Sequence, residues 1–374
     1  MTEKYTALYE AHKQLGASFT DFGGWQMPLK YSSELAEHKA VRSAAGLFDL
    51  SHMGEVEVSG PDAGAFLDYA LVGRLSAVKP GRAKYSLITT TDGGIIDDLI
   101  SYRLAKDSFL VVPNAGNADT VAAELAARAE GFDVTVTNVS TETSLVAVQG
   151  PGAEAILLEL VPETQHEAVT GMKYYAADTV DVTAGERTLN LLVARTGYTG
   201  EDGFEIYVPN DDAAALWDAL LAAGADSGLI PAGLACRDSL RLEAGMPLYG
   251  NELTLDTDPY AAGLGPVVAL SKEGDFVGRT ALEARKETGP ARKLVGLKGS
   301  GRRSARSSYP VLKDGETIGE VTSGVPSPTL GFPIALAYVD AAYTKPGTLL
   351  DVDLRGKPEQ FEVVPLPFYK REKR

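Results

Sequence analysis

The chain has 374 residues, enough for two or three domains at about 150 residues each. Lys and Arg total 35 against 51 Asp and Glu, a net charge of −16, which argues against a general nucleic-acid surface while leaving room for a local basic patch. One cysteine, Cys236, excludes an internal disulfide and a cysteine-rich metal site, and no stretch approaches the roughly 20 apolar residues of a membrane span. The first residues, MTEKYTALYEAHKQLG, are mixed in charge, so neither a secretory signal nor an Arg-rich presequence is expected and the cytoplasm is the default compartment.

In chain order, FGGWQMP (22–28) reads as a turn with aromatic packing anchors. EVEVSGPDAGAFLDYALV (55–72) reads as strand, Gly-Pro turn and helix, and LVAVQGPGAEAILLELV (145–161) repeats it at an offset of 90 residues, Gly60 falling on Gly150 and Pro61 on Pro151. Alternating valines give the period of a half-buried strand, and Pro suits a first helical turn because no N–H is needed there. A duplicated unit or one common motif used twice would each account for the echo.

Between the two copies, KYSLITTTDGGIIDDLISYRL (84–104) reads as a hairpin turning at Asp92-Gly93-Gly94. Asp97 and Asp98 lie on the outgoing strand, where successive side chains take opposite faces, so they form no proton-sharing pair unless the strand bulges. Asp98 keeps parity with Ile96, Ile100 and Tyr102, and Asp97 with Ile95 and Leu99, so neither acid sits on an evidently solvated face. A buried carboxylate needs a partner, whether amide, arginine or ligand. Both acids serving loop amides is one reading; one structural and one functional acid is the other, and their adjacency favours it.

Strand-then-helix units follow at 108–130 and 203–228, each with Asn or Asp where a helix cap is wanted. ARTGYTGEDGFEIYV (194–208) has glycines at 197, 200 and 203, a loop through which backbone can approach a ligand, with Tyr198 as a stacking face. Glu205 and Tyr207 share one face of the strand. A carboxylate there either accepts from a planar N–H/NH₂ edge, as a pterin or guanine presents, or is a solvated edge residue. In GLACRDSLRLEAGMPLYGNEL (233–253) a helix is expected from about Asp238, placing Arg237 at its start, where the dipole disfavours a cation. Arg237 therefore faces a ligand, or pairs with Asp238 or a carbonyl. The run 284–293 is charged, broken by Gly-Pro and a boundary, dividing 1–283 from 284–374. Beyond it, short apolar runs and the Asp314-Gly315 turn signal an all-β barrel or sandwich. No nucleotide-phosphate loop is present, and His12, His38, His52 and His166 are scattered, so a metal site is not expected.

Taken together, LYEAHKQLGASFTDFGGWQMPLKY, VRSAAGLFDLSHMGEVEVSGPDA, GGIIDDLI, VAVQGPGA, RTGYTGEDGFE, CRDSLRLEAGMPLYGNEL and IGEVTSGVPSPTLG resemble the aminomethyltransferase, or T-protein, family of the glycine cleavage system over nearly the whole chain. The resemblance implies an α+β fold: a three-domain cloverleaf around a central folate channel, with two interleaved α+β domains and a C-terminal β-barrel. It implies transfer of a methylene carbon from the aminomethyl group on lipoylated H-protein to tetrahydrofolate, without metal or flavin, nucleic acid or membrane. By the same resemblance Asp98 is catalytic and Asp97 structural. Glu205 grips the pterin edge, Met53, Tyr85, Asn114 and Tyr198 line the folate pocket, and Arg237 and Arg355 contact substrate. Two departures from the family pattern are Pro113, directly before Asn114, and Pro266. A folate-dependent demethylase and a non-enzymatic folate-binding iron–sulfur assembly factor share the superfamily. The intact GGIIDDLI disfavours the first, and the absence of a K-G-C-Y-x-G-Q-E signature around Cys236 disfavours the second. The basic run at Arg302, Arg303 and Arg306 is a candidate for meeting acidic H-protein, whereas KREKR at the end is expected to be a solvated tail.

Overall fold

A short helix α1 (Tyr9–Gln14) leads into a hairpin, β1 (Ser18–Phe22) and β2 (Trp25–Lys30). Its turn residues Gly23 and Gly24 have φ of 63° and 86°, the left-handed pair that a two-residue hairpin needs. This computed structural model describes residues 3–372, so Lys373 and Arg374 of the terminal basic run lie outside the described residues. The Ser33 hydroxyl accepts the Ala36 N–H and caps α2 (Glu34–Ser43), which is followed by the wholly buried strand β3 (Ala45–Asp49). Then come β4 (Val56–Ser59), α3 (Ala63–Ala70), β5 (Arg82–Thr89), β6 (Ile95–Ala105) and β7 (Ser108–Val112). Next are α4 (Ala118–Arg128), β8 (Thr135–Asn138), β9 (Thr143–Gln149), α5 (Ala153–Leu158) and α6 (His166–Thr170). The chain continues through β10 (Ala177–Ala184), β11 (Arg187–Ala194), β12 (Gly203–Pro209), α7 (Asn210–Gly224), β13 (Leu229–Pro231), α8 (Leu234–Glu243) and α9 (Arg279–Thr288).

The chain forms two compact units, one from Met1–Leu67, Leu75–Tyr85 and Leu99–Arg237, the other from Asp68–Arg74, Ser86–Asp98 and Asp238–Arg374. A five-stranded sheet runs β5-β6-β7-β4-β8, and a six-stranded sheet runs β10-β11-β12-β9-β3-β13. The second sheet is antiparallel except at its margin, where β13 pairs parallel to β3. On one face of this sheet α7 lays Leu216, Trp217 and Leu220 against Phe204, Ile206 and Val208. Burial of each such side chain contributes about 1.5–3 kcal/mol. The caps expected at two helices are absent: Asn117 makes no capping bond at α4, and Asn210 instead binds Ser144 and the Thr141 carbonyl.

The echo between 55–72 and 145–161 extends to the backbone. Gly60 and Gly150 have φ of 138° and 134°, and each carbonyl accepts the N–H three residues on, at 3.0 Å. A Cβ would lie 2.3 Å from the Asp133 carbonyl at Gly60 and 2.6 Å from the Ala44 carbonyl at Gly150, so only glycine serves at either bend.

The C-terminal strands β14 (Arg292–Gly299), β15 (Pro310–Lys313), β16 (Glu316–Pro326), β17 (Pro333–Asp340), β18 (Leu349–Asp353) and β19 (Pro358–Val364) close into an antiparallel barrel, β14-β17-β16-β15-β18-β19. Asp314 and Gly315, with φ of 52° and 88°, turn β15 into β16 as the sequence indicates. Leu297, Val311, Val321, Ala337, Val352 and Phe361 fill its interior. In the same unit Arg241 of α8 is buried, its guanidinium donating to Glu252 at 2.9 Å, Asp238 at 2.8 Å, the Ser323 hydroxyl at 2.7 Å and the Met246 carbonyl at 3.1 Å. Glu243 accepts from the hydroxyls of Ser327 and Thr329, at 2.5 and 2.7 Å.

Candidate functional site

The β5–β6 turn is built around Thr90, whose N–H donates to the Gly94 carbonyl at 2.9 Å and whose hydroxyl accepts the Gly94 N–H at 3.0 Å. A Cβ on Gly94 would sit 1.9 Å from the Leu255 carbonyl, which fixes glycine there. On the outgoing strand Asp97 is fully buried and Asp98 half-buried, so the two acids take opposite environments as strand alternation requires. Nearby, the Tyr249 hydroxyl donates to the Ile95 carbonyl at 3.0 Å. Burial first, then the charges of Asp97 and Asp98, push its pKa up to about 12. Arg355 belongs to the same unit as Asp98. It is an exposed residue between β18 and β19 with φ of 59°, and its Nε donates to the Tyr309 hydroxyl at 2.9 Å.

The remaining expected site residues belong to the other unit. Glu205 lies on β12, which runs between β11 and β9, so it is not a strand-edge residue. Its Oε2 accepts from the Thr196 hydroxyl at 2.5 Å and the Tyr102 hydroxyl at 3.3 Å. Burial raises the Glu205 pKa, opposed by Thr196, the Arg237 charge and Tyr102. The Arg237 guanidinium stands 4.5 Å from the Tyr198 ring centre, a stacked cation–π pair. Helix α8 starts at Leu234, four residues earlier than expected, which puts Arg237 inside its first turn. The cause is Gly233, whose N–H donates to Glu37 at 3.0 Å and whose Cβ would lie 2.3 Å from the Leu29 carbonyl.

The loop carrying Tyr198 is held firmly. Arg42 donates to the Thr199 carbonyl at 2.7 Å and to Glu201 at 2.9 Å, a pair almost wholly buried. At Gly197 and Gly203 the space that a side chain would take is already filled. Both make room for Gln149, whose side-chain atoms would lie 2.1 and 2.5 Å from a Cβ at those positions. The Gln149 amide donates to the Thr196 carbonyl at 3.0 Å and accepts from the Thr199 hydroxyl at 2.9 Å. Asn114, extended at φ −64° and ψ 149° after Pro113, precedes a short 3₁₀ turn, and Met53, Tyr85 and Asn114 are each half-buried.

Residues 8–272 match the GCVT N-terminal domain and residues 292–370 the glycine cleavage T-protein C-terminal barrel domain. The chain belongs to the glycine cleavage T-protein family. It is 56% identical over 393 residues to an aminomethyltransferase of Corynebacterium jeikeium, covering 100% of both chains. To that of Streptomyces avermitilis it is 57% identical over 374 residues, covering 99% of this chain and 98% of the relative. The glycine cleavage system aminomethyltransferase T of Bartonella henselae has a similar structure, with 40% identity, a TM-score of 0.90 and 99% of each chain covered.

Within this T-protein-family chain, sequence reasoning missed Thr196, Tyr102, His52 and Glu55. Thr196 directly precedes the Gly-Tyr-Thr-Gly run, and its small polar side chain gave no signal of its own. His52, buried with the Phe22 ring edge-on at 5.4 Å, has its pKa lowered to about 4, by burial first and then by Arg237. A neutral imidazole therefore stands beside Met53 at pH 7. Glu55 is fully buried, neither carboxylate oxygen makes a hydrogen bond, and burial raises its pKa to about 9 from 4.5. Because the folded value lies above the unfolded one, the contribution of Glu55 to stability is most favourable below pH 4.5 and is lost as pH rises toward 9. Keeping this acid neutral at pH 7 thus costs up to about 3 kcal/mol. Glu55→Gln is expected to raise stability by about 1–3 kcal/mol at pH 7, with the gain vanishing near pH 4. Urea unfolding of both proteins at the two pH values tests this; equal gains at both would show that the titration is not responsible.

Among the described residues no helix is long and apolar enough to cross a membrane, and no three His, Cys, Asp or Glu side chains converge as a metal site needs.

Proposed function

We propose that the chain is the aminomethyltransferase of glycine cleavage, moving the methylene carbon from the aminomethyl group on the dihydrolipoyl arm of H-protein to tetrahydrofolate. The products are 5,10-methylenetetrahydrofolate, ammonia and the reduced lipoyl arm. The carbon keeps its oxidation level, so the transfer needs neither flavin nor metal. The observation that carries this reading is the end-to-end similarity to aminomethyltransferases, with both T-protein domains matched in order.

Tetrahydrofolate supplies the nucleophilic N5. The fit of this chain to it rests on Glu205, whose carboxylate is half-buried and shares its unit with the Tyr198–Arg237 stack. Such a carboxylate accepts from the N–H/NH₂ edge of a pterin in a setting where the bond is strong. Met53, Tyr85 and Asn114 complete the lining of the folate pocket in this proposal, and Arg237 and Arg355 meet the substrate. Asp98 accepts the N10 proton and holds N5 in line with the methylene carbon, so positioning and charge supply the acceleration. Asp97, wholly buried, serves the fold. The folate-binding region extends over 1–283 and the barrel domain over 284–374, in the cytoplasm, with lipoylated H-protein as donor. Arg302, Arg303 and Arg306, all exposed, are the surface we assign to H-protein, in keeping with charge complementarity.

The test is direct: tetrahydrofolate and aminomethyl-loaded H-protein are mixed with the protein and methylenetetrahydrofolate is assayed. Parallel arms with dimethylglycine or a sulfonium donor separate a demethylase. Turnover with either of these, and none with H-protein, would refute the reading. Glu205→Gln, which keeps the shape and removes the charge, is expected to weaken tetrahydrofolate binding about 10- to 100-fold in a direct titration.

A further inference from the structure

The carboxylate assigned to the pterin is not free to turn. Thr196, at the end of the segment that follows β11, donates to Glu205 Oε2 at 2.5 Å, and the Tyr102 hydroxyl of β6 reaches the same oxygen at 3.3 Å. The Tyr102 and Thr196 oxygens also lie 2.9 Å apart, and since each hydroxyl has one proton, Thr196 gives its own to Glu205 while the Tyr102 proton is shared between Thr196 and Oε2; Tyr102 is fully buried and Thr196 nearly so. Oε2 is thus held by Thr196 directly and by Tyr102 both through Thr196 and across the longer 3.3 Å contact. Behind Tyr102, which is fully buried, the Tyr207 ring packs edge-on at 5.9 Å.

We propose that Tyr102 is a positioning residue for the folate-holding carboxylate: with Thr196 it clamps Oε2 of Glu205, leaving Oε1 to meet the donors of the ring edge and so fixing which edge is accepted. This rests on the assignment of Glu205 to the pterin. A tyrosine and a threonine do this better than an arginine would, because they hold the oxygen without neutralising the charge that a donor edge needs.

The charged and titratable groups facing Glu205 are Tyr102 on β6 and Arg237 on α8, with Tyr207 two residues along its own strand. Tyr175, ahead of β10, and Glu55, ahead of β4, face the tyrosines. Of these, Tyr102 and Arg237 hold the Glu205 proton off while burial holds it on. Removing the Tyr102 hydroxyl therefore moves protonation of Glu205 to higher pH, and binding that needs the ionised form is lost earlier as pH falls.

Tetrahydrofolate affinity, measured under anaerobic conditions from pH 5 to 9, tests the clamp. Tyr102→Phe is expected to weaken binding about tenfold at pH 7, with the loss in KM rather than kcat and the acid limb of the affinity profile moved upward. Thr196→Val is expected to do the same, and Thr196→Ser, which keeps the hydroxyl, to restore most of the affinity that Thr196→Val loses. A merely structural role would leave the acid limb in place. Wild-type affinity and an unmoved limb in Tyr102→Phe overturn the inference, and should that variant not fold, equal affinities of Thr196→Val and Thr196→Ser do so. If Glu205→Gln weakens binding while the clamp variants do not, only the clamp fails. If Glu205→Gln binds like wild type, the pterin assignment fails and the clamp with it.

Discussion

Replacing Asp98 with Asn is expected to lower turnover by about 10²- to 10⁴-fold while tetrahydrofolate still binds. Asn keeps the size of the side chain and its place on β6 but cannot take a proton. Asp98 is half-buried, whereas its neighbour Asp97 is completely enclosed, so Asp98 is the less enclosed of the two acids. Glu205, Tyr198 and Arg237 are unaltered by the substitution, and folate affinity should stay within about threefold of wild type, an interaction change below about 1 kcal/mol. The measurements are kcat with aminomethyl-loaded H-protein at saturating folate and a separate folate titration. Undiminished kcat would remove Asp98 from the reaction; lost affinity with little change in kcat would make it a binding residue instead.

The second large effect is on stability. Arg241→Met retains much of the aliphatic stem and removes the guanidinium, and is expected to destabilise the protein by about 3–5 kcal/mol. Arg241 and Glu252 are 1% and 0% exposed at their side chains, and Oε1 of Glu252 already lacks a hydrogen-bond partner. Without the arginine this carboxylate keeps only the Leu248 N–H, at 2.9 Å on Oε2, and stays enclosed with its charge. Adding Glu252→Gln should recover part of the loss, because the stranded charge rather than the missing contact accounts for much of it. Urea midpoints for the two single variants and the double variant close the cycle. A loss below about 1 kcal/mol in Arg241→Met would mean that the pair is solvated in solution.

What could be read from the sequence was whatever local chemistry determines. Every barrel strand was visible as an apolar run bounded by turn signals, and Asp314-Gly315 identified its hairpin because positive φ at both positions has few solutions. The turn at Asp92-Gly93-Gly94 was legible for the same reason, although the Leu255 carbonyl that makes Gly94 obligatory is distant in the chain and was not. Long-range contacts explain the misses. The sequence offered no sign that Gly197 and Gly203 also accommodate Gln149, some fifty residues earlier in the chain. The start of α8 was misjudged because Gly233 is held by Glu37, a residue from α2 that no local pattern could connect to it. Glu205 was singled out, but an interior strand cannot be told from an edge strand by one strand's alternation, and the hydroxyls that hold its carboxylate come from residues with no motif of their own.

The closure of β14 to β19 into a ring limits how another macromolecule can recognise this part of the molecule. A complete cylinder has no unpaired margin of amides and carbonyls, so an incoming peptide cannot extend it by backbone pairing, and template-driven self-association is suppressed for the same reason. Any carrier that meets the barrel must read side chains and hairpin tips, which makes the encounter sensitive to charge and ionic strength rather than to strand-forming tendency.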